Sequence, residues 1–231
     1  MLILGIDSTS DAATAALVCD GVLLCEYTQN QKKTHSVKML PMVEEMLRDL
    51  DIELSQIDVF ACGIGPGSFT GVRIGAATVR SFCDTLKKPA AAVTSLEALY
   101  NNVNSFDGIV ISLVFAREDE CYAAAFENGE EILAPTVMSV EDIISFADGG
   151  KRCLFVGDGA VKNHDALAKV LGASFAQGRH NIISAGAIAE IGYKKALLGK
   201  ISDSNVIAPL YLRKSQAERE YDEKHKIGES K

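Results

Sequence analysis

The segment GIGPGSFTGVRIG, Gly63 to Gly75, packs five glycines into thirteen residues between an apolar run (IDVFAC) and a helical pattern. Such a turn binds phosphate when backbone amides and a helix N-terminus converge on the anion. Neither nucleotide fingerprint is complete here. A Walker loop needs GxxxxGK[ST], and no lysine occurs between Lys38 and Lys87. The GxGxxG pattern fails because Gly71 follows Gly65 and Gly67 one residue late. Pro66 removes a further amide donor. The expectation is a strand-to-helix turn whose glycines permit close packing, not a phosphate cradle.

Other chemistry finds little support. His35 is the sole histidine of the first 163 residues, and His164, His180 and His225 have no chelating spacing. The cysteines at 19, 25, 62, 83, 121 and 153 form no CxxC and read as buried, reduced thiols. No GxSxG elbow is present, so proteolysis lacks both a metal site and an activated nucleophile. The formal net charge of −8 argues against gripping nucleic acid by overall field. No apolar run approaches the roughly 18 residues of a membrane span. The N-terminus MLILGIDSTS has no basic leader region, so a cytoplasmic address and no membrane contact are expected.

The elements that position these residues follow from periodicity. LILGI (2–6), ATAALV (13–18) and VLLCEY (22–27) read as strands, with a hairpin turn at Asp20–Gly21. Val37, Leu40, Val43, Leu47 and Leu50 recur at helical spacing, with Thr34 as N-cap. IDVFACG is a strand, the glycine loop opens a helix to about Leu86, and AAAVT and SLEALYNNV follow as strand and helix. From Gly108 the same order of strands, turns and helices repeats, with a helix running from GDGA through about Leu171. This predicts two related α/β lobes, 1–103 and 104–213, and a charged tail, 214–231, that frays. A helix over 185–199 falls late in the second lobe.

Two helices of the first lobe read as a docking interface. Gly71, Gly75 and Thr78 leave one helix face nearly bare, with Arg73 and Arg80 on another. Met39, Met42 and Met46 widen the apolar arc of the preceding helix beyond what one sheet contact needs. The partner-binding candidates are His35, Met39, Met42, Val43 and Met46, with Gly71, Val72, Gly75, Thr78, Val79 and Phe82. Core filling is the rival reading of the same residues.

Taken in order across residues 2–213, IDSTS, HSVKMLP, GPGSFTGVRIG, TSLEAL, VGDGA and PLYLR resemble the TsaB (YeaZ) family, bacterial proteins of tRNA threonylcarbamoyladenosine biosynthesis. The resemblance implies the actin, hexokinase and Hsp70 ATPase fold: two duplicated lobes, each a mixed sheet with flanking helices. It implies a complex with a larger paralogue, TsaD, and with the ATPase TsaE, through which tRNA is reached. That complex transfers threonylcarbamoyl from its adenylate to N6 of the adenosine 3′ of the anticodon. In TsaD the matching helix carries an HxxxH metal pair; here those positions fall on Ser95 and Leu99, so neither catalytic nor metal residues are expected.

The same superfold uses an acid after the first strand, and hydroxyls in the next turn, to handle metal-bound nucleotide. Asp7, Ser8, Thr9 and Ser10 fit that template, with Asp158 facing from the second lobe. The competing reading is that Asp7 and Ser8 only satisfy turn amides. No cofactor of its own is expected, though ATP or ADP has room at a shared or vestigial site. Family members read DARRGEVY where this chain reads FAREDECY: Phe115 replaces the acid, while Arg117, Glu120 and Tyr122 remain. The function expected is a non-catalytic partner of TsaD that forms a homodimer in isolation. The alternatives are a stand-alone small-molecule phosphotransferase using Asp7 and Asp158, and a tRNA-binding module using Arg73, Arg80, Arg213 and Lys214.

Overall fold

The structure, a computed structural model, describes residues 1–31 and 35–213; the side chains of 35–37 lie outside the described set, as do Thr34 and the tail from Lys214. β1 (Leu2–Asp7), β2 (Ala12–Cys19) and β3 (Val22–Asn30) form an antiparallel meander. Its hairpin turn has Asp20 and Gly21 at φ of 48° and 82°, as a tight two-residue connection requires. β4 (Val59–Gly63) and β5 (Ala90–Val93) extend the sheet in parallel from β1, giving the order β3-β2-β1-β4-β5.

The second sheet repeats this plan. β6 (Ile109–Arg117), β7 (Glu120–Glu127) and β8 (Glu130–Ser139) form the meander. β9 (Cys153–Val156) and β10 (Ala173–Phe175) add in parallel, for the order β8-β7-β6-β9-β10. The helices correspond as well. α1 (His35–Asp49) and α4 (Val140–Ala147) follow each meander. α2 (Phe69–Leu86) makes the first crossover, and the short α5 (Asp158–Lys162) and α6 (His164–Leu167) make the second. The single helix expected through Leu171 is thus broken at Asn163, whose side-chain amide donates to the Gly159 carbonyl (2.9 Å).

The last helix of each half crosses to the other. α3 (Ser95–Asn101) packs on β6, whereas α7 (Ala185–Leu197) packs on β1, β2 and β4. The sequence order had placed this last helix in the second lobe; its packing assigns it to the first sheet. Two things hold it there. Gly5 and Gly192 allow the close approach: a Cβ on Gly5 would strike the Ala185 carbonyl, and one on Gly192 would stand 2.7 Å from Ala61 Cβ. The first three amides of α7 also find side-chain acceptors, Ala185 N on Thr14 Oγ1 (3.3 Å), Gly186 N on Glu26 Oε1 (3.2 Å) and Ala187 N on Ser184 Oγ (3.1 Å). Two of these acceptors come from the first-lobe hairpin, and a carboxylate at a helix N-terminus is electrostatically favourable.

The chain then returns along the first lobe. Ser202 bridges Ala90, Leu210 N donates to Ile64 O (2.7 Å), and Tyr211 stacks on Phe69 at 4.6 Å between centroids. Arg213 ends this strap on Glu120 of the second lobe (3.2 Å). Three apolar cores result. One fills the space between the sheets around α3 and α7, one lies under α1 and α2, and one lies under α4 to α6.

Replacing Gly5 by alanine forces β1 and α7 apart. The expected loss is about 1–3 kcal/mol, the usual cost of overpacking, read as a lower urea midpoint for Gly5→Ala with an unchanged slope.

Candidate functional site

The end of β1 carries the residues that could handle a nucleotide, and the fold buries most of them. Asp7, Ser8, Thr9 and Ser95 are all at most 1% exposed. Asp7 Oδ2 accepts the Thr9 amide (3.0 Å) and Oδ1 accepts Thr9 Oγ1 (2.9 Å), which in turn lies 2.9 Å from Ser95 Oγ. Gly63 on β4 covers the carboxyl so closely that a Cβ there would collide with it. Burial pushes Asp7 up to about 7, opposed by the hydrogen bonds from Thr9 and the Ser8 amide. Asp7 is therefore a turn-capping acid enclosed in the protein.

The glycine loop explains itself against this same turn. Gly67 admits the Thr9 backbone and Gly71 the Ser8 backbone, both at distances no side chain allows. A Cβ on Gly75 would stand 2.9 Å from Ser8 Oγ, and that hydroxyl donates to the Gly71 carbonyl (2.8 Å). Ser68 caps α2 by accepting the Gly71 amide (3.2 Å). The bare face of α2 thus seats the β1–β2 turn and is no external surface.

This corrects the docking set read from the sequence. Met39, Met42, Val43, Met46, Gly71, Val72, Gly75 and Val79 are buried in the chain's own core. Thr78 and Phe82 are half-buried, and the His35 side chain lies outside the described residues. The wide methionine arc fills the volume between α1, α2 and the alanine-rich outer face of the first sheet. Small strand residues such as Ala13 and Ala15 leave space that long side chains must occupy.

A cleft of about 310 Å³ separates the lobes, lined by Thr9, Ser10, Ser68, Phe115, Asp158 and Lys162 among others. Of the nucleotide candidates, Thr9, Ser10 and Asp158 reach it; Asp7 and Ser8 do not. Asp158 is already engaged, with Oδ1 accepting the Phe115 amide (3.0 Å) and Oδ2 pairing Lys162 Nζ (3.2 Å). Lys162 Nζ lies 3.8 Å from the Phe115 ring centroid, a cation–π contact. This cluster of Phe115, Asp158 and Lys162 escaped the sequence reading, although the i, i+4 spacing of Asp158 and Lys162 was a visible signal. Glu26, as the cap of α7, left none.

Among the described residues, no group of three His, Cys, Asp or Glu side chains could hold a metal ion. All six cysteines are free, four of them buried, and burial pushes the Cys121 thiol up to about 12. No helix among the described residues is long and apolar enough to cross a membrane.

Comparison with known proteins agrees with this layout. The family model for TsaD, tRNA N6-adenosine threonylcarbamoyltransferase, matches residues 22–221. The chain is 30% identical over 234 residues to the tRNA threonylcarbamoyladenosine biosynthesis protein TsaB of Bacillus subtilis (strain 168), covering 98% of this chain and 100% of that protein. A Pseudomonas aeruginosa crystal structure, described by its similarity to the peptidase YeaZ, superposes with a TM-score of 0.79 at 25% identity, over 92% of this chain and 99% of that one. The ethanolamine utilization protein EutJ of Carboxydothermus hydrogenoformans, at 14% identity and a TM-score of 0.55 over 83% and 90% of the two chains, shares the fold alone. The architecture is that of the actin-like ATPases.

The raised Asp7 sets a pH dependence. In the folded protein it holds its proton up to about pH 7, against about 3.8 for the free carboxyl. The folded state binds the extra proton throughout that window, so this contribution is complete below pH 3.8 and is lost progressively up to about pH 7. Asp7→Asn, which cannot ionise, should gain stability relative to the natural protein between pH 5 and pH 8, by about 1.4 kcal/mol per unit of the shift expressed in that range. Urea unfolding of both proteins at the two pH values measures the difference.

Proposed function

The chain belongs to the TsaB family, and on that premise we propose that it is the non-catalytic partner of a TsaD-type threonylcarbamoyltransferase, needed to place threonylcarbamoyl on N6 of the adenosine 3′ of the anticodon in tRNA. The observation that carries this reading is the condition of its two template acids. Asp7 is enclosed with both oxygens engaged, and Asp158 is spent on the Phe115 amide and Lys162. A metal-bound nucleotide needs ionised carboxylates facing the cleft. Where TsaD carries its two histidines, this chain has Ser95, bonded to Thr9, and Leu99, buried in the core between the sheets. ATP or ADP in the cleft would then occupy a vestigial site without turnover.

Docking falls to the outer faces of α1 and α2 in place of their buried faces. Leu40 and Pro41 are exposed on α1, and Ala77 on α2 is flanked by the half-buried Ile74 and Thr78. The TsaD-type paralogue is the occupant proposed for this face, with a TsaE-type ATPase joining the assembly and a homodimer forming when the paralogue is missing. tRNA is reached through the complex. The arginines of the rival tRNA patch are occupied, Arg73 on Tyr211, Arg80 on Asn205 and Arg213 on Glu120, while Lys214 lies outside the described residues.

Size-exclusion chromatography with light scattering should show a 1:1 heterodimer on mixing with the paralogue from the same source. Ala77→Arg should weaken that complex about tenfold or more, as a charge in an interface core does, and leave the melting temperature of the isolated chain unchanged. Gly75→Leu should instead lower that melting temperature, because Gly75 faces Ser8. ATP turnover by the isolated chain, lost in Asp158→Asn, would favour the phosphotransferase reading.

A further inference from the structure

A second cavity, of about 400 Å³, lies outside the interlobe cleft, between β3, α3, the turn Gly178–Asn181 and the start of α7. Ile182 and Ile183 form the wall between the two spaces. Nothing in the proposed function uses this cavity.

Its polar groups converge from separate elements. Glu26, from β3, accepts at Oε1 from Ser184 Oγ (2.8 Å) and from the Gly186 amide, and Glu190, from α7, accepts at Oε2 from Asn101 Nδ2 (2.8 Å). The second oxygen of each carboxylate has no protein partner among the described residues, and neither pairs with a cation. Lys194 of α7 donates to the other end of the same amide, Asn101 Oδ1 (3.2 Å). Arg179 stands exposed at the mouth, and His180 Nδ1 lies 3.1 Å from the Asn102 carbonyl. Leu23, Ile182 and Ala187 supply an apolar wall.

Acids scattered on an open surface would be solvated singly. Here two line one concavity of ligand size, with hydrocarbon beside them. The amides at the start of α7 are all taken, so the cavity offers an anion no free helix-end donors. Among the described residues no group of three His, Cys, Asp or Glu side chains could hold a metal ion, so a divalent ion would have only the two carboxylates as charged ligands here. What remains complementary is a cation with an apolar body.

We propose that this cavity binds a small organic amine, an ammonium or guanidinium group on a short hydrocarbon stem, held by the open oxygens of Glu26 and Glu190 with its stem against Leu23 and Ile182. The site is separate from the docking face and from the cleft, so it stands or falls apart from the proposed function.

Calorimetry and thermal unfolding of the full chain test this with putrescine, cadaverine and agmatine as probes. 1,4-Butanediol, glutarate and sodium chloride at matched ionic strength serve as controls. At least one amine should bind saturably with a dissociation constant below about 1 mM and raise the melting temperature in proportion to its occupancy, while the diol and the dicarboxylate do neither. Glu190→Gln, isosteric and half-exposed, should keep the fold and weaken amine binding about tenfold. Glu26→Gln should weaken it too while also loosening α7, so Glu190→Gln is the deciding variant. Absence of saturable amine binding would overturn the proposal, as would equal binding by the diol or undiminished binding by Glu190→Gln.

Discussion

The close approach of α7 to β1 is the contact on which the rest of the molecule depends. It is made against the helix backbone at Gly5, with Gly192 seated on the side chains of Ala61 and Ile3, and is locked by Thr14 and Glu26, which receive the first amides of the helix. Because α3 makes the reciprocal crossing to β6, each sheet is completed by a helix from the other half of the chain. The two lobes therefore share one core and hold a fixed cleft between them. The second cavity exists for the same reason, since its floor is the start of α7 and its wall is β3.

The carboxyl at the end of β1 serves as a structural joint. An acid at the end of the first strand can serve a metal only when it is ionised and exposed. At Asp7 the cover from Gly63 and the surrounding core remove the exposure and oppose the charge, and the carboxyl ties the β1–β2 turn through Thr9 to Ser95 on α3. On the second-lobe side, Phe115 carries Lys162 over its ring. Lys162 in turn holds Asp158 against the Phe115 amide. A buried hydrogen-bond chain in the first lobe and a cation–π contact in the second thus engage these side chains.

Strand order and duplication were legible because alternation and turn chemistry are local: Asp20–Gly21 and Asn128–Gly129 sit where their positive φ is needed. The glycine loop was also legible as a packing device, though not what it packs against. Small residues on a helix face report a close approach without naming the neighbour, and at Gly71 and Gly75 the neighbour is the chain's own Ser8. The methionines of α1 misled for a related reason. Their arc looked too wide for one sheet, but the alanines of β2 opposite them leave room that only long side chains fill. The crossing of α7 and the capping by Glu26 are non-local, between residues separated by 171 and 160 positions, and no periodicity encodes them.

That separation bears on how the protein is made. The first sheet appears early in synthesis, but the helix that covers its inner face and the strap that reaches Ile64, Phe69 and Ala90 are near the C-terminus. Contacts of such sequence span are slow to form because a long loop must close before they repay its entropy. The first sheet consequently keeps one apolar face uncovered until α7 and the strap, which follow it far along the chain, have been made. Until then the growing chain carries a sheet that lacks its lid, the kind of exposed apolar surface that favours misassembly.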